Sequence, residues 1–191
     1  MKFQFLVLAA LLCCTSLSAL AQSTISDDGA WCWFADPRAV YVDGVTYVGW
    51  VTSRGNVEVA AIGDDGSQRT VTVREKLHRD DHANPALMML PDGRLLVLYS
   101  KHNGAEMFAR TCANPNTLEG WSEERVLAIY EEPRPDHQQI TYPNLVRLSD
   151  ESDVIYLFWR GDDWKPNWAR SRDLGETWEP LGTVTSRPGA E

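Results

Sequence analysis

RAVYVDGVTYVGW, Arg38–Trp50, is two runs of alternating apolar and polar residues joined by Asp43-Gly44. Alternation with period two places one face of each run toward a core. Asp-Gly between such runs predicts a two-residue hairpin, because its glycine accepts the positive φ that the turn demands. The plan recurs twice. ALMMLPDGRLLVLY, Ala86–Tyr99, turns at Pro91–Gly93, and PNLVRLSDESDVIYLFW, Pro143–Trp159, turns over Ser149–Asp153. Each unit continues into further short strands: Val57–Ile62 and Thr70–Val73, then Glu106–Thr111 and Arg125–Ile129, then Trp168–Arg172 and the stretch from Trp178. Four short strands per unit, repeated every 50 to 60 residues with no helical periodicity between them, predict an all-β propeller with three blades in this chain. The blades fall at about residues 30–75, 80–130 and 138–191.

SRDLGETW, Ser171–Trp178, matches the Asp-box pattern S-x-D-x-G-x-T-W. Asp173 is expected to bond turn N–H groups, Gly175 to take the positive-φ position, and Trp178 to pack beneath the turn, with Ser171 and Thr177 completing the motif. Degenerate copies are read at Gly63–Gly66 and Cys112–Trp121. The motif is structural and carries no chemistry. A propeller ring usually has about four to eight blades, so three predict part of a longer propeller or a truncated reading frame.

With 43% hydrophobic and 24% charged residues in a 191-residue chain, the sequence belongs with globular domains and not with disordered or fibrous ones. Met1–Ala21 has a Lys2 start, an apolar stretch from Phe5 to Cys14 and a small-residue site at Ala19-Leu20-Ala21, the three parts of a signal peptide. The mature part is expected to be secreted or periplasmic, with no membrane span. Losing that segment removes Lys2 and no acid, which moves the net charge from −9 to −10 and argues against nucleic-acid partners. Cys32 and Cys112 then remain. They lack the paired spacing of a zinc site and read as buried thiols, with one disulfide as the alternative. No ligand set in the sequence commits to a metal, and a structural Ca²⁺ or Zn²⁺ stays open.

In an antiparallel pair, the start of a blade's first strand lies beside the end of its second. Polar residues occupy both places in every unit. They are Asp36–Arg38 with Thr52–Arg54, Asp80–Asn84 with Ser100–Asn103, and Thr141–Asn144 with Arg160–Asp163. First strands line a propeller's channel, so these clusters are expected at one mouth, with His82 beside His102, Tyr142 beside Arg160, and Arg38, Arg54, Lys101 and Asn144 nearby. Imidazoles, a phenol and a guanidinium suit proton abstraction next to a carboxylate, whose charge must be neutralised before its α-proton becomes acidic. Each residue also has a plain reading: hydrogen-bonded histidines, an ordinary aromatic before Pro143, an Arg160 pair with Asp162 or Asp163, an Asp36–Arg38 ion pair, and solvated His78 and His137.

At Trp31–Ala39, Asp81–Leu87, Lys101–Gly104, Thr141–Asn144 and Phe158–Gly161 the chain resembles the BNR-repeat propellers. That group includes seven-bladed ulvan lyases of polysaccharide lyase families 24 and 25 and related rhamnose–glucuronate lyases. The resemblance implies β-elimination at a uronic acid in an anionic polysaccharide, with no cofactor needed for the chemistry. Tyr142 would take the C5 proton and help protonate the leaving oxygen, Arg160 would hold the carboxylate, and His82 and His102 would position or neutralise charge. Arg38, Arg54, Lys101, Asn103, Asn144 and Trp159 would bind substrate from a locally basic mouth. A free tyrosine titrates near pH 10, so the base role requires Arg160 or an imidazolium to depress its pKa. The competing readings are a non-catalytic glycan-binding propeller with Trp33, Trp159, Trp164 and Trp168 stacking on sugars, an inactive truncated product, and a sialidase-like glycosidase. The last lacks its Arg-Ile-Pro opening motif here.

Overall fold

The computed structural model describes residues 24–30, 32–33, 39–131, 139–161 and 164–185. Met1–Ala21, expected as a leader, the Asp36–Arg38 cluster, His137, Asp162 and Asp163 lie outside the described residues. Three antiparallel sheets follow one another along the chain. The first runs β1 (Ala39–Val42), β2 (Val45–Val51), β3 (Val57–Gly63) and β4 (Gln68–Arg74). The second contains β5 (Ala86–Met89), β6 (Leu95–Ser100), β7 (Met107–Asn114), β8 (Glu119–Trp121) and β9 (Arg125–Val126). Its fourth strand is broken, so β8 and β9 both pair with β7. The third runs β10 (Thr141–Leu148), β11 (Val154–Arg160), β12 (Pro166–Ser171) and β13 (Glu179–Thr183). Among the described residues, helix is confined to 3-10 turns, at Asp81–Ala83, Ser149–Glu151 and Trp164.

The hairpins turn where the alternation predicts. Asp43 and Gly44 both take positive φ, 49° and 82°, which matches the twist of the paired strands. The third hairpin has no glycine and uses Ser152 and Asp153 at φ 59° and 61°. The sheets pack face to face in chain order. Tyr47, Val57, Val59 and Val73 of the first meet Leu95, Val97, Tyr99 and Phe108 of the second. On the opposite face of β6, Leu96 and Leu98 join Met107 against Ile155, Leu157, Trp159 and Trp178 of the third sheet. All six residues of β6 are therefore buried, which explains its near-continuous apolar run. Each such leucine contributes about 1.5–3 kcal/mol of transfer free energy.

The Asp box closes β12 to β13 as its sequence requires. Asp173 Oδ1 accepts from Thr177 N at 2.8 Å, Asp173 Oδ2 accepts from Thr177 Oγ1 at 2.5 Å, and Ser171 Oγ accepts from Gly175 N at 2.8 Å. Trp178 Nε1 donates to Gly175 O at 3.2 Å, and Trp121 Nε1 repeats this with Leu118 O at 2.9 Å in the second sheet. The turn at Gly63–Gly66 keeps only the aspartate part, with Asp65 Oδ1 accepting from Ser67 N. Arg125 ties the second sheet to the Asp-box turn by donating to Glu176 O and Gly175 O, each at 2.7 Å. Gly175 has φ 83°, and a Cβ there would stand 3.0 Å from Leu96 Cδ2. Gly175→Ala is expected to destabilise the chain by more than about 1 kcal/mol, read as a lowered urea midpoint with an unchanged m-value.

Candidate functional site

The second hairpin enters β5 through the 3-10 turn Asp81–Ala83. Asp80 caps that turn, accepting from His82 N at 2.9 Å through Oδ1. The same carboxylate holds both imidazoles, with His82 Nδ1 at 2.7 Å from Oδ1 and His102 Nδ1 at 3.0 Å from Oδ2. The rings lie parallel, with centroids 4.1 Å apart and planes 4° from each other. Burial alone would raise the Asp80 pKa. The His82 backbone N–H and the His102 and His82 rings outweigh it and hold the carboxyl at about 2, below the ordinary 3.8. An ionised carboxylate only accepts, so both Nδ1 atoms carry protons, and Nε2 is the position on each ring where a lone pair can stand.

The depressed Asp80 pKa makes this cluster sensitive to acid. Because the folded value lies below the unfolded one, its contribution is complete above about pH 4 and is lost as pH falls toward 2, on the order of 1 kcal/mol after solvent screening. Urea midpoints are expected to drop across that window. Asp80→Asn should remove this part of the drop.

The third sheet supplies the other half of the site. Thr141 pairs with Arg160, so the start of β10 and the end of β11 do lie side by side. A register shift between Thr141 and Asn144 puts Tyr142 at φ 59°, an unusual conformation for an aromatic residue. Asn103 and Trp164 also take positive φ, 54° and 62°, so three strained non-glycine residues cluster here. Asn103 N donates to Thr141 Oγ1 at 2.9 Å. Arg160 Nη2 donates to Asn103 Oδ1 at 2.6 Å and Thr141 Oγ1 at 2.9 Å. The guanidinium carbon lies 5.0 Å from the Tyr142 ring centroid and 4.4 Å from that of Trp164. His82 is 5.6 Å from Tyr142, centroid to centroid. Buried Arg160 Nε has no hydrogen-bond partner among the described residues.

His82, His102, Tyr142, Arg160 and Asn103 thus come together. Four expectations change. Tyr142 is shifted opposite to what a phenolate base requires: burial and the neighbouring Cys32 push it up to about 12, against the pull of Arg160. Trp159 is only 3% exposed, lies in the core and donates through Nε1 to Tyr130 Oη, so it cannot stack on a sugar. His78 is half-buried and accepts the His102 backbone N–H at 3.2 Å. The cluster is not simply basic, since Asp80 and Asp81 sit against the imidazoles while Arg54 and Lys101 are exposed. Asn144 is half-buried on β10, Trp168 lies over Tyr156 and Phe158, and Arg38 is outside the described residues.

Asp80, Asp81, Thr141 and Cys32 were not singled out as site residues by sequence reasoning. Only the Asp-x-His spacing of Asp80 and His82 signals one of them, as a local cap. Cys32 and Cys112 are both buried free thiols, as expected. A concavity along the first strands past Val40, Met88 and Leu145 contains none of the cluster, whereas a smaller cleft lined by Asp28, Ser53, Arg79, Asp80 and Asp81 borders it.

The model of the BNR repeat-containing family matches residues 45–185, well over half of the chain. The chain belongs to the BNR repeat-containing family. Comparison with curated proteins gives no match. Among solved structures, this BNR-repeat chain is similar to a polysaccharide lyase PL25 ulvan lyase bound to -[GlcA(1-4)Rha3S]-, with a TM-score of 0.64 and 17% identity over 86% of this chain and 42% of that one. It is also similar to polysaccharide lyase Uly1, with a TM-score of 0.56 and 11% identity over 84% of this chain and 45% of that one. A third is an exo-beta-1,3-galactanase from Phanerochaete chrysosporium, with a TM-score of 0.51 and 11% identity over 85% and 42% of the two chains. At these identities the likeness is one of fold. The BNR-repeat chain spans less than half the length of each of these structures. Among the described residues no helix is long and apolar enough to cross a membrane.

Proposed function

We propose that this chain carries the reacting cluster of an exported lyase that cleaves a uronic-acid-containing polysaccharide by β-elimination. The observation that carries the reading is the pair of Asp80-tied imidazoles beside Tyr142 and Arg160. Arg160 would pair with the uronate carboxylate, lowering the pKa of the C5 proton. An imidazole Nε2 would take that proton, the C5–H electron pair would become the C4=C5 double bond, and the C4–O4 bond would break. The leaving oxygen would take the Tyr142 phenol proton, which a phenol pushed up to about 12 retains at neutral pH. Tyr142 is thereby assigned as the acid and an imidazole as the base. The steps balance without an oxidant or cofactor.

The long-range field of a chain of net charge −9, or −10 without Met1–Ala21, opposes an anionic polymer, and it is screened beyond about 8–10 Å at physiological salt. The leader features of Met1–Ala21 support export to where such polymers occur. A glycan-binding role without catalysis is the second reading, supported by the 83% and 56% exposure of Trp33 and Trp164. Incubating the purified chain with ulvan and gum arabic is expected to raise the ultraviolet absorbance of unsaturated uronate. Binding to either polymer with no such rise would replace the lyase reading by the binding one.

A further inference from the structure

We propose that Cys32, Asp81 and His82 form a site for a thiophilic divalent cation of the zinc type. The Cys32 Sγ, one Asp81 carboxylate oxygen and one His82 ring nitrogen lie within 4.8 Å of one another. Ligand atoms around a tetrahedral zinc stand about 3–4 Å apart, so small side-chain adjustments would close the set. Sulfur and imidazole donors select zinc over calcium or magnesium, which take oxygen.

A second observation points to a missing positive charge. His82 Nδ1 lies 2.7 Å from both Asp80 Oδ1 and Asp81 Oδ1. One ring nitrogen carries one proton and can serve only one of these oxygens. Asp80 has further donors in the His82 backbone N–H and the His102 ring, so among the described residues Asp81 is the carboxylate with fewer protein donors. Cys32 adds to the same demand. It is 1% exposed, and a carboxylate, an imidazole and the Tyr142 phenol lie beside it. A cation bound there would displace the thiol proton to solvent and balance the thiolate and carboxylate together.

The overlapping group Asp80, His82 and His102 also places its ligand atoms within 4.8 Å of one another. Its geometry is less suited to an ion. Imidazole lone pairs lie in the ring plane, and two rings stacked 4.1 Å apart and 4° from parallel direct theirs side by side instead of toward one point. With the cation on Cys32, Asp81 and His82, the His102 imidazole stays open. The site stands whether or not the chain is a lyase, because its test reads binding.

The metal-free chain is expected to take up one equivalent of Co²⁺ with a near-ultraviolet sulfur-to-cobalt charge-transfer band, which Zn²⁺ then abolishes by displacement. Cys32→Ser should lose the band. Asp81→Asn, at a partly exposed side chain, should leave the metal-free melting curve unchanged and weaken Zn²⁺ at least about tenfold in competition with a chromophoric chelator. The proposal is overturned if cobalt binds without the band, if neither substitution changes Zn²⁺ affinity, or if His102→Ala loses Zn²⁺ while Cys32→Ser retains it. That last result would assign the ion to the Asp80, His82 and His102 group.

Discussion

Replacing Tyr142 by Phe is expected to lower kcat for uronate elimination by at least about 100-fold, with little change in KM or in the unfolding midpoint. The substitution removes one hydroxyl and keeps the ring that stands 5.0 Å from the Arg160 guanidinium carbon and 5.6 Å from the His82 ring. What is lost is the proton for the leaving oxygen. The pH profile separates this role from that of a base. A phenolate base would make kcat/KM climb as the phenol ionises, whereas a phenol pushed up to about 12 acts in its protonated form. The rate should therefore stay level through the ordinary phenol range near 10. Full activity in the Phe variant would remove Tyr142 from the chemistry.

Asp80→Ala is expected to have a comparable effect on rate through residues it positions. The carboxylate fixes the Nδ1–H tautomer of His82 and of His102, and without it the rings can rotate and the open Nε2 lone pairs lose their direction. Loss of a tautomer-fixing carboxylate in a comparable acid–base arrangement costs about 10⁴-fold in kcat. A drop of about 100- to 10,000-fold is expected here. The same change removes the cap on Asp81–Ala83, worth about 1 kcal/mol. Asp80→Asn separates the two effects. The amide oxygen still accepts the His82 backbone N–H, so the cap survives, but it accepts from fewer ring N–H groups than a carboxylate does. If Asp80→Asn kept full activity, the carboxylate would have no role in orienting the imidazoles.

Much of the fold was legible because its signals are local. Alternation in Val45–Val51, the Asp43-Gly44 turn and the Asp box each depend on residues a few positions apart, and backbone sterics and hairpin twist act over that range. Antiparallel pairing continued from Leu148 opposite Val154 puts Tyr142 opposite Arg160, and it is the register shift between Thr141 and Asn144 that brings Thr141 there instead. Tyr142, His82, His102 and Arg160 could be named for the same reason, since each sits at the end of a strand whose position the hairpins define.

Other features depended on how the sheets meet. Trp159 ends an alternating strand exactly as a groove residue would, and only the packing of the second sheet against the third buries it. Cys32 precedes the first strand by several residues, and its approach to Asp81, His82 and Tyr142 joins three separate stretches of chain. The Tyr142 pKa reversed direction because burial and Cys32 outweighed Arg160, a balance set by distances across those stretches. By itself the sequence determined the strands, the turns and the chemical types placed at the strand ends, since short-range periodicity and backbone geometry specify them. Tertiary structure alone decided which side chains share a carboxylate, which are dry and which way a proton is held. Those properties follow from contacts between residues far apart in the chain, and electrostatic and desolvation energies change steeply with the separations that packing sets.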